Sequence, residues 1–288
     1  MPIDRTPYTQ STSRPTHRQP PPGLAAWLDQ VDAAREPSIR VVDIDGVTCV
    51  IKRRQASVLQ GLSYAVRYVR ASVLAVGCRL FLGEFPSPTV LLQNGLAYEA
   101  ERLRGMDAAG LRVPAIWAQA PGMLALEYVG VDIPGVLRKA DPQTREQLAR
   151  TIAQDLAAFH QAGFWHGGAQ VRNLIWQEGE IWRIDFEENI GGALSLSLAQ
   201  AYDVYQCISS ITALRGLPDA QAAALGDVVL YAYLQANPDP AVRASLVRFA
   251  RLFTRSSALL RPVFGRVPGR DIQGFFRTAH TLGLLLKS

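Results

Sequence analysis

At 288 residues, 48% hydrophobic and 19% charged, the chain suits one domain of two lobes, or two small domains, with a sizeable core, and a largely disordered protein is excluded. A net charge of +5 and a pI near 9.3 admit an anionic partner without specifying one. No run of about 18 uncharged apolar residues occurs, so no transmembrane helix is expected. The N-terminus lacks an apolar signal core, and Cys49, Cys78 and Cys207 have neither metal nor disulfide spacing; they read as packing residues in a reducing cytoplasm.

Residues 1–22 hold six prolines among Ser, Thr, Gln and Arg and are expected to form a disordered tail. A helix is predicted over 24–34, with Leu24, Trp27, Leu28 and Val31 on one face. SIRVVDIDGVTCVIKRR then reads as two strands joined at Asp45-Gly46, a strong hairpin signal. Lys52 closes the second strand; taken alone, Lys52, Arg53 and Arg54 are a solvated strand end.

Residues 57–83 are apolar, dotted with Arg67, Arg70 and Arg79. Two readings are open: an interfacial helix lying on anionic headgroups, with Tyr64, Val69, Leu74 and Phe81 as its apolar side, or a core-packing helix followed by a strand, its arginines facing water. A helix over about 95–109, ended by Gly110, carries Glu99 and Glu101. MLALEYVG reads as a strand. From 132 to 159 the pattern is helical, with Asp141 and Pro142 as cap and first-turn residue.

The segment LAAFHQAGFWHGGAQVRNLIWQEGEIWRIDFEE concentrates the chemistry. Leu148, Ile152, Leu156 and Phe159 keep helical spacing until Gly163 breaks it, so a loop starts near His166. LIW and IWRIDF are β-prone around a QEGE turn. Asn173 and Asp185 therefore flank a short hairpin, where an amide oxygen and a carboxylate can converge on one cation. Past Asp203, breaks near 216–218, 237–238 and 268–269 separate helices. Residues 241–288 hold nine Lys or Arg against one acid, with Arg248, Arg251 and Arg255 on one helix face opposite Leu246, Phe249 and Phe253. That face is either solvated or a surface for anionic membrane, lipopolysaccharide or nucleic acid; no nucleic-acid module is recognisable, and specific nucleic-acid binding is not expected.

HGGAQVRN followed by IDF resembles the catalytic loop and metal-binding segment of the protein-kinase-like superfamily, whose pattern is H-R-D-x-x-x-x-N and then D-F-G. His166 matches the His, Asn173 the metal-binding Asn and Asp185 the metal-binding Asp, with Phe186 after it and Glu187 in place of Gly. HG for HR, and Arg172 before the Asn, are similar to an atypical bacterial branch that includes lipopolysaccharide core (Kdo/heptose) kinases and RIO- and KEOPS-type kinases. VTCVIK is similar to the V-A-I-K strand, so Lys52 is implied to hold nucleotide phosphates. Glu99, or second Glu101, is implied to hold that lysine. Glu127 to Val129 would offer backbone groups to an adenine, and Asp203 would bind the catalytic-loop backbone. The likeness runs over roughly 38–215 and implies an α+β fold of two lobes: 23–130 as a small β-rich lobe with an insertion at 57–90, and 131–288 as a larger helical lobe.

Two departures are evident. Gly168 stands where the family has the Asp that receives the proton of the attacking hydroxyl, a role worth roughly 10²–10⁴-fold in rate; Glu187 or Glu188 is the candidate substitute. No G-x-G-x-x-G precedes the Lys52 hairpin. The expectations are therefore an ATP- and Mg²⁺-dependent phosphotransferase acting on a sugar, lipopolysaccharide-core or protein hydroxyl, with Arg172 or a nearby Glu steering the acceptor, or else a pseudokinase that serves as a scaffold.

Overall fold

The structure is a computed structural model describing residues 19–30, 38–54, 60–92, 95–265, 267 and 269–287; the side chains of 60–67, 70, 74 and 270 lie outside that description. Strands β1 (Ile39–Ile44) and β2 (Val47–Arg53) form the expected hairpin. Its two turn residues, Asp45 and Gly46, have φ of 52° and 75°, the left-handed pair that a tight primed turn needs and Asp-Gly supplies. With β3 (Ile116–Ala120) and β4 (Met123–Glu127) they make an antiparallel sheet in the order β1-β2-β4-β3.

The period of two along β2 divides its side chains between two tasks. Cys49 and Ile51 join Val42, Ile44 and Ala125 in a small core closed by Leu24 of α1 (Leu24–Gln30). Val50 and Lys52 face the other way, where Leu124 and Leu126 meet Leu103 and Met106 of α4 (Leu96–Ala108) in the main core. The strand thus points its one lysine of this face into the junction between the lobes.

The larger lobe is mostly helical: α5 (Ile133–Lys139), α6 (Pro142–Gln161), α7 (Leu196–Thr212), α8 (Asp219–Ala236), α9 (Pro240–Phe264) and α10 (Arg270–Gly283). Asp141 caps α6 by accepting from the Gln143 and Thr144 N–H groups, each at 3.0 Å, and Pro142 needs no partner at the first position. Ile152, Leu156 and Phe159 of α6, Ile208 of α7, Tyr233 of α8 and Leu246 of α9 are buried together. A small antiparallel sheet, β5 (Val131–Asp132), β6 (Leu174–Gln177) and β7 (Glu180–Arg183), lies against this lobe. The architecture is the two-lobed α+β protein-kinase-like fold.

Two expectations change. The strand foreseen in the second half of 57–83 is absent: one helix, α2 (Gln60–Leu82), runs through, followed by a single turn, α3 (Pro88–Leu91). The reason is a buried stripe, Ala71, Ala75, Cys78 and Leu82, whose spacing of four, three and four residues is helical. The outward side of α2 is not solely arginine either, since Val69, Val73, Val76 and Leu80 are exposed. The tail expected over 1–22 falls outside the described residues up to 18, as do the last positions of the helix predicted over 24–34.

Candidate functional site

Three elements distant in sequence meet at Lys52. Its ammonium donates to Glu99 Oε1 at 2.7 Å and to Asp185 Oδ1 at 2.9 Å, and lies 4.0 Å from Glu187 Oε1. Glu99 is fully buried on α4, while Glu101, the second candidate, is exposed on its other side. Burial works to lower the Lys52 pKa, but the Glu99 and Asp185 carboxylates outweigh it and hold the ammonium charged. Burial raises the Glu99 pKa despite the pull of Lys52. An opposite charge brought into a desolvated place must be paired, and α4 and β2 are fixed to each other by this pair.

Asp185 reaches the lysine from the end of the β6–β7 hairpin. That hairpin turns through Glu178 and Gly179 with φ of 50° and 85°, so its two open ends lie side by side, and Ile184 N–H donates to the Asn173 carbonyl at 3.0 Å. Asp185 itself has φ of 70°, a conformation Asp tolerates better than most residues. Asn173 Nδ2 donates to the Gly168 carbonyl at 2.8 Å, which leaves Oδ1 as the amide's acceptor.

The loop between α6 and β6 is held by buried polar groups. Asp203 of α7 accepts from the His166 N–H at 2.5 Å and the Gly167 N–H at 2.7 Å, and contacts His160 Nε2 at 3.3 Å. Burial alone would raise the Asp203 pKa, yet His160 and the loop amides hold it below the usual carboxylate range. Gly167 has φ of 89°, and a Cβ there would sit 2.8 Å from the Glu188 carbonyl and 2.9 Å from the Trp165 ring, which is why the chain reads HG here. The His166 ring stacks on Phe186 with centroids 4.3 Å apart, and its Nδ1 accepts from the Gly168 N–H at 3.1 Å.

Arg102 escaped sequence analysis. Its guanidinium lies 3.8 Å over the Trp165 ring, donates to the His166 carbonyl at 2.7 Å and also to the Trp165 carbonyl, so α4 grips the loop. Burial lowers its pKa to about 10. The signal for it is positional: once Glu99 faces inward, Arg102 and Leu103 share its helix face. His160, hydrogen-bonded to the Tyr233 hydroxyl at 2.7 Å and to Asp203, was missed for want of any local pattern.

Glu127 and Val129 lie where β4 leaves the small sheet. The Glu127 N–H donates to the Ala115 carbonyl at 2.9 Å and its carboxylate accepts from the Ala115 N–H at 3.3 Å; the Val129 side chain is buried with Ile175 and Trp182. Arg172 is exposed beside the loop. The two-residue turn at Asp45-Gly46 is too short to fold over a nucleotide's phosphates.

The donors present fit a hard divalent cation. One carboxylate oxygen from each of Glu99, Asp185 and Glu187 lies within 4.8 Å of the others, and the second Glu99 oxygen, Oε2, is buried without a hydrogen-bond partner among the described residues. With the Asn173 amide nearby, this is an all-oxygen set of the kind Mg²⁺ takes.

The buried histidines set an acid limit on stability. Burial lowers the His166 pKa from 6.5 to about 3, and lowers that of His160 as well. Below about pH 6.5 the unfolded chain binds protons that the folded one refuses, so stability falls as pH falls, by about 1.4 kcal/mol per pH unit for each such group. Denaturant unfolding between pH 6.5 and 5 is expected to lose about 2 kcal/mol per buried histidine, and less in a His166→Gln variant; a flat profile would contradict the burial described here.

In comparisons with known proteins, the family model described as RIO1: RIO domain matches residues 87–192. That span carries Glu99, Glu127, His166, Asn173 and Asp185, and omits Lys52 and Asp203. The KEOPS complex subunit Bud32 of Pyrococcus abyssi (strain GE5 / Orsay) is 30% identical over 91 residues, 31% of this chain and 41% of that protein, so the chain spans about two fifths of this relative's length. Among solved structures, an inhibitor-free description suffices for the MAP kinase LMAMPK10 from Leishmania major, which aligns at 14% identity with a TM-score of 0.32, over 92% of this chain and 80% of the other.

Proposed function

We propose that the cleft between the lobes binds a magnesium–nucleotide complex and that the protein is an ATP-dependent phosphotransferase. The observation that carries this reading is the meeting of Lys52 with Glu99 and Asp185 at 2.7 and 2.9 Å, across 47 and 133 residues of chain. No packing need calls for two carboxylates around one buried ammonium. Replacing such a set by apolar groups costs little or nothing in stability, so its use is in binding charge.

Asn173 and Asp185 would hold the metal, with Glu187 beside them; once bound, metal and nucleotide present a phosphoryl group whose charge is neutralised for transfer. Lys52 orients phosphate oxygens, Glu99 keeps Lys52 in place, and the backbone from Glu127 to Val129 faces the base. Arg172 and Glu188 lie at the loop's open side, where an acceptor hydroxyl would approach. A sugar or lipopolysaccharide-core hydroxyl fits the resemblance, and a protein hydroxyl is the other acceptor class.

A second reading rests on Gly168 and the short Asp45-Gly46 turn: a pseudokinase that binds nucleotide without turning it over. Thermal unfolding with Mg-ADP separates nucleotide binding from its absence. At about a hundredfold over the dissociation constant a ligand stabilises by about 2.7 kcal/mol, about 5 °C for a chain of this size. Asp185→Asn, which keeps the positive φ acceptable, is expected to abolish the shift. No shift in the native protein would refute both readings; a shift without phosphate transfer to any offered hydroxyl would favour the second.

A further inference from the structure

The most unusual surface lies outside the cleft. Val69, Val73, Val76 and Leu80 of α2 are spaced by four, three and four residues, so they form one stripe, and they are exposed, Val73 by 66% and Leu80 by 72%. The end of α9 continues this apolar surface. Leu80 and Phe81 share a groove of about 570 Å³ with Arg251, Leu252, Arg255 and Leu259. Beyond the groove, positions 258–264 of α9 are exposed all round the helix, with Leu259 at 78% and Val263 at 70%. Arg248 joins the two helices by donating to the Leu82 carbonyl at 2.6 Å.

The charge on these helices has a single sign. In sequence α2 carries three arginines and α9 five, and neither has an acidic residue. A solvated helix face ordinarily mixes signs, and an apolar face this large is normally covered. We propose that the α2–α9 face seats the protein on an anionic lipid bilayer, its valines and leucines entering the boundary between headgroups and acyl chains and its arginines meeting lipid phosphates.

Three features favour a bilayer over a protein. The apolar groups run along two helices and encircle the end of one, which suits a soft planar surface better than a partner's single groove. Arginines flanking apolar side chains can lay their stems along them while the guanidinium reaches the headgroups. No helix among the described residues is long and apolar enough to cross a membrane, so the contact lies on the surface. This inference does not depend on the cleft's activity.

Sedimentation of the intact chain with vesicles tests it. Binding is expected to vesicles of phosphatidylglycerol mixed with phosphatidylcholine, little to phosphatidylcholine alone, and a loss in about 0.5 M salt. Leu80→Asp with Leu259→Asp, and separately Arg251→Glu with Arg255→Glu, are each expected to weaken partition about tenfold or more. Because all four side chains leave the core untouched, the thermal midpoint should hold; Val73→Asp serves as the alternative should either pair lower it. No retention on anionic vesicles, equal retention on neutral ones, or a micromolar dimer that the leucine variants dissociate would overturn the proposal, the last in favour of a second copy as the occupant.

Discussion

Gly168→Asp is expected to raise phosphoryl transfer by roughly 10²–10⁴-fold while leaving nucleotide affinity within about twofold, the magnitude a positioned general base contributes. The local geometry permits it. Gly168 has no positive φ, and an added Cβ would stand 3.4 Å from Asn173 Nδ2, 3.7 Å from His166 Nδ1 and 3.8 Å from the Asp185 carbonyl, ordinary contacts for the most part. Its neighbour Gly167 could not be changed in this way, because crowding and conformation both demand glycine there. Nothing in the backbone therefore requires a glycine at 168, and the new carboxylate would lie beside the groups proposed to hold metal and acceptor. Steady-state rates for both proteins against the same acceptor, with Mg-ADP affinity measured in parallel, decide the matter. An active native protein that gains nothing would mean that the proton already has a receiver, and Glu187→Gln and Glu188→Gln would then identify it. An inactive native protein that stays inactive would point to the scaffold reading.

What could be read from the sequence was what short stretches determine alone. Asp45-Gly46 and Glu178-Gly179 each supply two consecutive positive φ values, and both hairpins were foreseen for that reason. Asp141-Pro142 marked the start of α6, and Gly110, with φ of 80°, the end of α4. The helix α2 was misread because both of its faces are apolar. With Ala71, Ala75 and Cys78 inside and Val69, Val73 and Val76 outside, no polar stripe marks the helical period, and its β-branched valines suggest a strand.

The site was legible in a different way. Lys52, Glu99 and Asp185 are ordinary residues in their local sequences, and only the order of motifs in the kinase-like resemblance put them together. Arg102 and His160 belong to no such motif. Their roles arise from tertiary packing: Arg102 touches the loop across 64 residues of chain and His160 touches Asp203 across 43, separations at which no periodicity carries information.

Asp203→Ala is expected to destabilise the fold by about 3–5 kcal/mol, the cost of removing one member of a buried charged network. Asp203 is fully buried and serves three groups at once: the His166 and Gly167 amides and the His160 ring. Truncation strands two amide donors with no route to water, each costing about 1–3 kcal/mol, and leaves the His160 ring without a partner for Nε2. Asp203→Asn should lose less, about 2–3 kcal/mol, since its one acceptor oxygen can satisfy one amide while its NH₂ group faces the other donor. The same change should loosen the loop that sets Asn173 opposite Asp185, so nucleotide affinity should fall along with stability even though Asp203 touches no ligand. Denaturant unfolding of both variants, with Mg-ADP titrated into each, is the measurement. An Asp203→Ala midpoint equivalent to less than about 1 kcal/mol, the range of an ordinary surface change, would show that α7 does not hold the loop in place.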